Sequence, residues 1–296
     1  MTNRVSKLFG VEHPVVLGGV ASTPPLGVAI SNAGGLGCLA STNATPDVLR
    51  ATIREYKSLT DKPMSVNFPI VLSPEKFHRE KMELMVEEGV DVVISSAGNP
   101  KLWTGFLKER GVKTAHVVPT LYHAAKAVEA GVDAIIAEPF ESGGYRGEHE
   151  VSMMVLIPAI HRAFPDVPVI AAGAISDGDG MAAAFALGAE GIQLGTRFMM
   201  TVEANSPDHV KRLILAATDT STTSAEGKVK PRVSKPEFAE QVLGKKRQAQ
   251  MGQVSALIDS IKTVEEVFRD LIQGGLESAR RTEAAFAELA KGAPVA

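Results

Sequence analysis

The residues best suited to chemistry lie in the stretch AEPFESGGYRG, residues 137–147. An apolar run ends there at Ala137, and acidic side chains, a glycine pair, Tyr145 and Arg146 follow it. A phenol has an ordinary pKa of about 10, so Tyr145 is suited to donating a proton and is a poor base at neutral pH. Proton donation is therefore one role open to this phenol. Packing against a bound ligand is the alternative role for its ring.

Small polar residues and glycines follow the other apolar runs in the same way. Gly18, Gly19 and Val20 come after PVVL, and Asn67 lies near the end of MSVNFP. The amide of Asn67 offers a donor and an acceptor to the edge of a heterocycle. An Asx turn before Pro69 is the alternative reading of the same residue.

The last two apolar runs end in glycines that suit an anion. The backbone amides of Gly173, Ala174, Gly195 and Thr196 are predicted to surround a phosphate group, and tight turns are the alternative use of these glycines. Arg197 follows directly and is predicted to form a salt bridge, with a phosphate contact as the alternative.

Eight short apolar, β-branched runs must position these residues. They begin at residues 14, 35, 64, 91, 113, 133, 168 and 191 and alternate with helical patterns. This alternation is typical of a parallel sheet wrapped by helices, and eight units in this length of chain favour an α/β fold of the (β/α)₈ TIM-barrel type. In such barrels the carboxyl ends of the strands carry the site, so the residues above are expected to meet at one rim.

The segments after the eighth run are predicted to complete one barrel domain, residues 1–217 and 251–296. A polar stretch, 218–250, interrupts the domain as a short lid or loop excursion. Amphipathic patterns at 255–275 and 277–292 predict two helices that form a small C-terminal appendage. 

Composition excludes several classes of function. The chain has 296 residues, a net charge of −3 and 45% hydrophobic residues, so it has no polycationic character to suggest nucleic acid. The single cysteine, Cys38, lies in an apolar run and predicts a buried thiol, and no metal-ligand cluster is visible. No apolar run approaches the ~20 residues of a membrane span and no secretory signal is recognised, so we expect no membrane association and a cytoplasmic location.

The motifs, taken in order, resemble a flavin-dependent family that contains the nitronate monooxygenases (2-nitropropane dioxygenases) and the flavin-type enoyl-ACP reductases. PVVLGG, SNAGGLG, VNFP, SSAGNP, AEPFESGGYRG, PVIAAGAISDGDG, LGAEGIQLGTRF and MGQVSALI carry the resemblance from Val5 to about Ile272. It implies a TIM barrel that holds FMN non-covalently. The implied contacts are Gly18, Gly19 and Val20 along the isoalloxazine, Asn67 hydrogen-bonded to the flavin, Glu138, Ser142, Gly143 and Gly144 on the ribityl or ring side, Gly173, Ala174, Gly195 and Thr196 around the phosphate, and the Gly252–Gln253 segment as a cap.

Two departures from the family pattern bear on activity. Leu17 stands where the family usually has glutamine, and Tyr145 stands where its EAGGH motif carries the catalytic histidine. The first hypothesis is oxidation of alkyl nitronates with O₂, which needs no base because the nitronate is already an anion. The alternative is an ene-reductase in which NADH or NADPH is co-substrate and the phenol of Tyr145 protonates the carbanion. A third hypothesis is a flavin-binding barrel without catalysis. All three imply a small-molecule ligand, and a homodimer is compatible with the sequence.

Overall fold

The computed structural model describes residues 3–226 and 230–291, and its eight predicted strands form one parallel sheet. The strands are β1 (Val15–Leu17), β2 (Gly37–Ala40), β3 (Met64–Pro69), β4 (Val92–Ser96), β5 (Lys113–Val118), β6 (Ala134–Ala137), β7 (Val169–Ala172) and β8 (Gly191–Leu194). Their order is β1-β8-β7-β6-β5-β4-β3-β2, and a parallel bridge between Val16 and Leu36 joins β1 to the start of β2. The sheet therefore closes, and the TIM-barrel prediction is confirmed.

Helices cover the outside of the barrel. They are α1 (Arg4–Phe9), α2 (Pro24–Asn32), α3 (Pro46–Leu59), α4 (His78–Glu87), α5 (Thr104–Lys108), α6 (Leu121–Glu129), α7 (Met153–Ala163), α8 (Gly178–Ala186), α9 (Thr196–Met199), α10 (Asp208–Leu215), α11 (Pro236–Leu243) and α12 (Val264–Lys291). Short 3₁₀ segments lie at Ile70–Leu72, Glu75–Phe77, Pro100–Leu102 and Gln253–Leu257. No helix in the described ranges combines the length and apolar character needed to cross a bilayer.

The strands read as continuous apolar runs because both of their faces are covered. All four residues of β6 (AIIA) and all four of β7 (VIAA) are buried. Parallel sheets with helices outside and packed side chains inside have this pattern, whereas a half-exposed strand would alternate. The barrel interior is therefore a packed core, and space for a ligand exists only at its ends.

The C-terminal appendage differs from the prediction of two helices. The second helix and most of the first are one continuous helix, α12, which runs through Gly274 and Gly275. A Cβ added to Gly178, at the start of α8, would lie 2.1 Å from the backbone nitrogen of Gly275. The glycine pair therefore allows α12 to approach α8 closely, and it does not end a helix as its composition suggested.

The described part of the polar segment 218–250 contains two paired strands and a helix. Strands β9 (Thr222–Ser224) and β10 (Arg232–Ser234) pair antiparallel, and α11 follows. Arg232 also pairs with Gly144 in the glycine loop: the Gly144 amide donates to Arg232 O at 3.2 Å and the Arg232 amide donates to Gly144 O at 2.9 Å. The hairpin is therefore joined by main-chain hydrogen bonds to the loop that carries Tyr145.

Candidate active site

A cavity of about 880 Å³ opens at the carboxyl ends of the barrel strands. Its size is typical of pockets for cofactors and other small molecules. All but one of the residues predicted for the site line it: Gly18, Gly19, Val20, Asn67, Glu138, Ser142, Gly143, Gly144, Tyr145, Gly173, Ala174, Gly195 and Thr196. The exception is Gln253. Its neighbour Gly252 lines the cavity, whereas the backbone amide of Gln253 donates to Glu141 O at 3.0 Å.

Free backbone amides lie together after β7 and β8. The amides of Ala174, Gly195 and Thr196 form no hydrogen bond with any residue that the structure describes. Gly173 and Ala174 have φ values of +74° and +57°, so the chain turns sharply here through conformations that most residues avoid. Unpartnered amides at the wall of a cavity are suited to binding the oxygens of a phosphate group.

The neighbouring start of α8 is not part of this amide cluster. The side chain of Asp177 caps that helix by accepting from the Gly180 amide at 2.9 Å. A carboxylate there disfavours a second anion at the same helix end. Arg197, predicted to form a salt bridge, forms no ion pair within the described residues, because its buried guanidinium donates to the carbonyls of Met200 and Ser260, at 2.8 Å each.

The glycine loop after β6 packs tightly against the segment that precedes Gln253. A Cβ on Gly143 would lie 2.5 Å from the Gly252 nitrogen and 2.6 Å from the carbonyl carbon of Met251. A Cβ on Gly173 would likewise lie 2.6 Å from Cβ of Ser142. The family resemblance implies that both glycines contact the cofactor. The structure adds a separate requirement, since Gly143 and Gly173 face other parts of the protein at distances that no side chain permits.

Glu138 is the acidic side chain that lines the cavity. It follows β6 directly, and the hydroxyl of Ser142 donates to its Oε1 at 2.7 Å. Burial raises the pKa of Glu138 to about 7, and the hydrogen bond from Ser142 and the charge of Arg146 only partly offset that effect. The protonation of this carboxyl therefore changes near neutral pH.

Asn67 lies against the first strand end. A Cβ on Gly19 would lie 2.5 Å from Oδ1 of Asn67, so only glycine fits beside the amide. The Asn67 side-chain nitrogen donates to Ile94 O at 3.3 Å, and Oδ1 accepts no hydrogen bond from the described residues. One side of the amide is therefore held by the protein and its oxygen remains available to a ligand.

Tyr145 stands at the cavity mouth with 47% of its surface exposed. It also lines a second cavity of about 590 Å³, beside α3, whose wall includes the apolar residues Leu39, Leu49 and Leu72. The ring therefore lies where the two cavities meet. Its hydroxyl forms no hydrogen bond with the residues that the structure describes, which leaves it free to reach a ligand.

Two histidines line the cavity without replacing the family's histidine. His116 is buried in β5, and its Nδ1 lies 2.8 Å from Ser95 Oγ. Burial lowers its pKa to about 4, so it is neutral at physiological pH. His123 lies at the start of α6, where its amide donates to Thr120 Oγ1 at 3.3 Å. Burial also lowers the pKa of His123.

Three cationic side chains in the cavity wall were not predicted as site residues from the sequence. Lys101 and Lys126 follow β4 and β5, and both pair with Glu129, at 3.5 and 3.1 Å. Arg146 follows β6 and is buried. The sequence contains one signal for all three, since each follows the end of a strand. Lysines and arginines are so frequent on protein surfaces, however, that residue type alone did not distinguish these three.

The fold and the cavity define a TIM-barrel protein. The carboxyl ends of its strands surround a space large enough for a phosphate-bearing cofactor, and free backbone amides lie in the wall of that space. The family model described as "Nitronate monooxygenase" matches residues 2–255. The chain therefore belongs to the nitronate monooxygenase family, whose members are flavin enzymes that act on small molecules.

Individual relatives carry different activities. The chain is 39% identical over 218 residues to the (3aS,4S,5R,7aS)-5-hydroxy-7a-methyl-1-oxo-octahydro-1H-indene-4-carboxyl-CoA dehydrogenase of Mycobacterium tuberculosis, covering 72% of this chain and only 60% of that protein. It is 32% identical over 251 residues to the nitronate monooxygenase of Pseudomonas aeruginosa, covering 70% of this chain and 71% of that protein. FabK from Thermotoga maritima superposes with a TM-score of 0.88 at 37% identity, covering 96% of this chain and 99% of that one.

Proposed function

We propose that the protein is an FMN-dependent oxidoreductase that oxidises alkyl nitronates with O₂. The observation that carries the cofactor assignment is the group of free amides at Ala174, Gly195 and Thr196, which opens into a cavity lined by the predicted flavin contacts. Family membership supports a flavin. When bound, FMN supplies the redox chemistry by taking electrons from the substrate and passing them to O₂.

The chain's own residues would hold and orient this cofactor. The amides after β7 and β8 would bind the phosphate, and Gly252 would close the site from the C-terminal side. Asn67 would hydrogen-bond the flavin ring through its free Oδ1, beside the small surface of Gly18 and Gly19. Glu138 and Ser142, already joined by a hydrogen bond, would line the ribityl or ring side.

A phenol in place of the family's histidine at the mouth favours a substrate that is already anionic. A phenol, unlike an imidazole, does not accept a proton at neutral pH. Tyr145 therefore suits hydrogen bonding to a nitronate better than proton abstraction from a neutral nitroalkane. His116 is an equally poor base, because burial lowers its pKa to about 4.

We also propose that 218–250 covers the site as a lid appended to the barrel domain formed by 1–217 and 251–296. The supporting observation is the pairing of Arg232 with Gly144 by two main-chain hydrogen bonds. A second link, from the Ser234 amide to Ala249 O at 2.8 Å, ties the hairpin to the segment leading into Gly252. Movement of the hairpin would therefore displace the loop that carries Tyr145.

A thioester oxidoreductase is the second candidate. The Mycobacterium tuberculosis relative is a carboxyl-CoA dehydrogenase, and FabK belongs with the enoyl-ACP reductases. Both are more similar in sequence to this chain than the Pseudomonas aeruginosa nitronate monooxygenase is. In that case NADH or NADPH would serve as co-substrate, and Tyr145 would donate a proton to the carbanion left by hydride transfer.

Anaerobic stopped-flow spectroscopy of the FMN-loaded protein separates these functions. Propane-2-nitronate, NADH and NADPH are mixed with it in turn, and bleaching of the flavin is followed. Bleaching by the nitronate, with O₂ restoring the colour, is the expected result. Bleaching by NADH or NADPH alone would replace the proposal with the reductase. Bleaching by none of them would favour a flavin-binding barrel without catalysis, and failure of the chain to bind FMN would refute the cofactor assignment itself.

A further inference from the structure

Arg146 is a buried cation in the wall of the cavity. Only 8% of its surface is exposed, and its side chain lines the cavity beside Tyr145. One terminal nitrogen donates to Ser224 Oγ, and the other makes a long contact of 3.4 Å with Gly147 O. Its Nε is buried and has no hydrogen-bond partner. No carboxylate in the described ranges lies within ion-pair distance of this guanidinium.

A buried cation without a counter-charge is costly, so a partner is normally present. Arg232, in the same hairpin region, is equally buried but lies outside the cavity wall, and its nitrogens donate to Phe140 O at 3.0 Å and Thr222 Oγ1 at 3.1 Å. Arg146 also has one carbonyl and one hydroxyl acceptor, but its contact with Gly147 O is longer, at 3.4 Å, and its Nε has no acceptor. It lines the cavity, whereas Arg232 and the buried Arg197 do not. Glu138 does not neutralise it, because that carboxyl forms no ion pair and burial raises its pKa to about 7.

The position of Arg146 separates it from the predicted phosphate site. A Cβ on Gly147 would lie 2.3 Å from Cβ of Pro119, so the chain around Arg146 passes over the end of β5. The free amides follow β7 and β8, further round the barrel. An anion held by Arg146 would therefore be a different group from the cofactor's phosphate.

We propose that Arg146 binds the two oxygen atoms of the substrate's anionic group. This proposal rests on the proposed function and names the recognition element for the nitronate. A guanidinium is planar and presents paired N–H groups that match two oxygens on one atom. Its lack of a carboxylate partner leaves the charge free for the ligand, and Tyr145 lies next to it in the cavity wall to donate a further hydrogen bond.

The test measures anion binding and does not depend on turnover. Nitrate is the probe, since it is planar like a nitronate head group and does not reduce the flavin. It is titrated into the FMN-loaded protein at constant ionic strength, and the flavin absorbance change gives Kd. Arg146→Met is expected to weaken nitrate binding roughly 10- to 100-fold, as loss of a charge-assisted hydrogen bond predicts. Arg146→Lys is expected to weaken it less, since the charge remains but the paired geometry is lost.

Arg110→Lys is the control for loss of a guanidinium, because Arg110 lies outside the cavity wall, where it donates to Phe106 O at 2.9 Å; its nitrate Kd should equal that of the wild type. With propane-2-nitronate, Arg146→Lys should raise KM and leave kcat nearly unchanged. The proposal is overturned if wild type fails to bind nitrate, or if Arg146→Met retains FMN and binds nitrate within about twofold of wild type. It is also overturned if Arg146→Met loses FMN while Arg146→Lys, which keeps it, shows the wild-type Kd.

The two proposals fail separately. If nitronate does not bleach the wild-type flavin but nitrate binding depends on Arg146, the reaction is wrong and the anion site stands. If nitronate bleaches the flavin and the Arg146 variants bind nitrate as the wild type does, the reaction stands and the anion site is wrong.

Discussion

Replacing Glu138 by glutamine tests the electrostatics of the cavity directly. Burial holds the pKa of this carboxyl at about 7 in the folded protein, against an ordinary value of 4.5. At roughly 1.36 kcal/mol for each pKa unit, that difference amounts to about 3 kcal/mol. Because the folded state keeps the proton to higher pH than the unfolded state does, this contribution to stability is intact below about pH 4.5 and is lost as the pH rises through 7.

Glu138→Gln removes the ionisation while keeping the size of the side chain. At pH 5 the variant and the wild type should differ little, since both side chains are neutral. By pH 8 the free energy of unfolding of the variant should exceed that of the wild type by about 3 kcal/mol. Unfolding entropy of about 2.1 cal/mol/K per residue converts this, for 296 residues, to about 5 °C in Tm.

The assay is thermal unfolding, followed by circular dichroism, of protein freed of FMN across pH 5 to 8. Glu88→Gln is the control, and its Tm difference from the wild type should change with pH in the opposite direction. Hydrogen bonds from Arg54 and Arg50 lower the pKa of Glu88, so its stabilising contribution is present at higher pH and lost on acidification. If the Tm difference between Glu138→Gln and the wild type were flat, or fell with rising pH, the reasoning from burial would be refuted.

Three further predictions concern the loops and the phenol. Ala174→Gly should stabilise the protein by about 1 kcal/mol in denaturant unfolding, because φ is +57° there, whereas Ala183→Gly, in an exposed helical position, should cost about as much. Gly143→Ala should lower Tm and weaken FMN binding in a fluorescence titration, since the added Cβ would lie 2.5 Å from a facing backbone nitrogen. Gly105→Ala is the control and should do neither, because a Cβ there would have no other atom within 4 Å. Tyr145→Phe should raise KM for a preformed nitronate roughly fivefold, since one hydrogen bond to the anion is lost. Tyr145→His should raise oxidation of neutral nitroalkanes, and an unchanged rate for this variant would contradict the argument about the missing histidine.

The barrel and its rim were predictable because their signals are local. Each strand is a short apolar run, and the residue types change abruptly at Glu138, Gly173 and Gly195, directly after β6, β7 and β8, while Asn67 lies inside β3. Parallel strands bring those ends to one side, and all of the predicted site residues except Gln253 line the cavity there.

The parts that were missed depend on contacts between distant segments. Helix α12 continues through Gly274 because α8 brings Gly178 against it, and nothing near Gly274 in sequence reveals that neighbour. The bond between Arg232 and Gly144 likewise joins residues far apart in sequence. Arg197 was predicted to form a salt bridge, yet one of its terminal nitrogens donates to two main-chain carbonyls, of Met200 and of the distant Ser260.

The effect of having Tyr145 in place of the family's histidine depends on the charges around this position. An imidazole at this position could become a cation beside Arg146, whereas a phenol adds a donor without a charge. Glu138 is close to half protonated at neutral pH, so it contributes less than a full negative charge to repel an anion. Arg146 is buried on this side of the cavity and forms no ion pair with the residues that the structure describes. We expect this balance of charges to favour the binding of substrates that arrive as anions, which is what the proposed reaction requires.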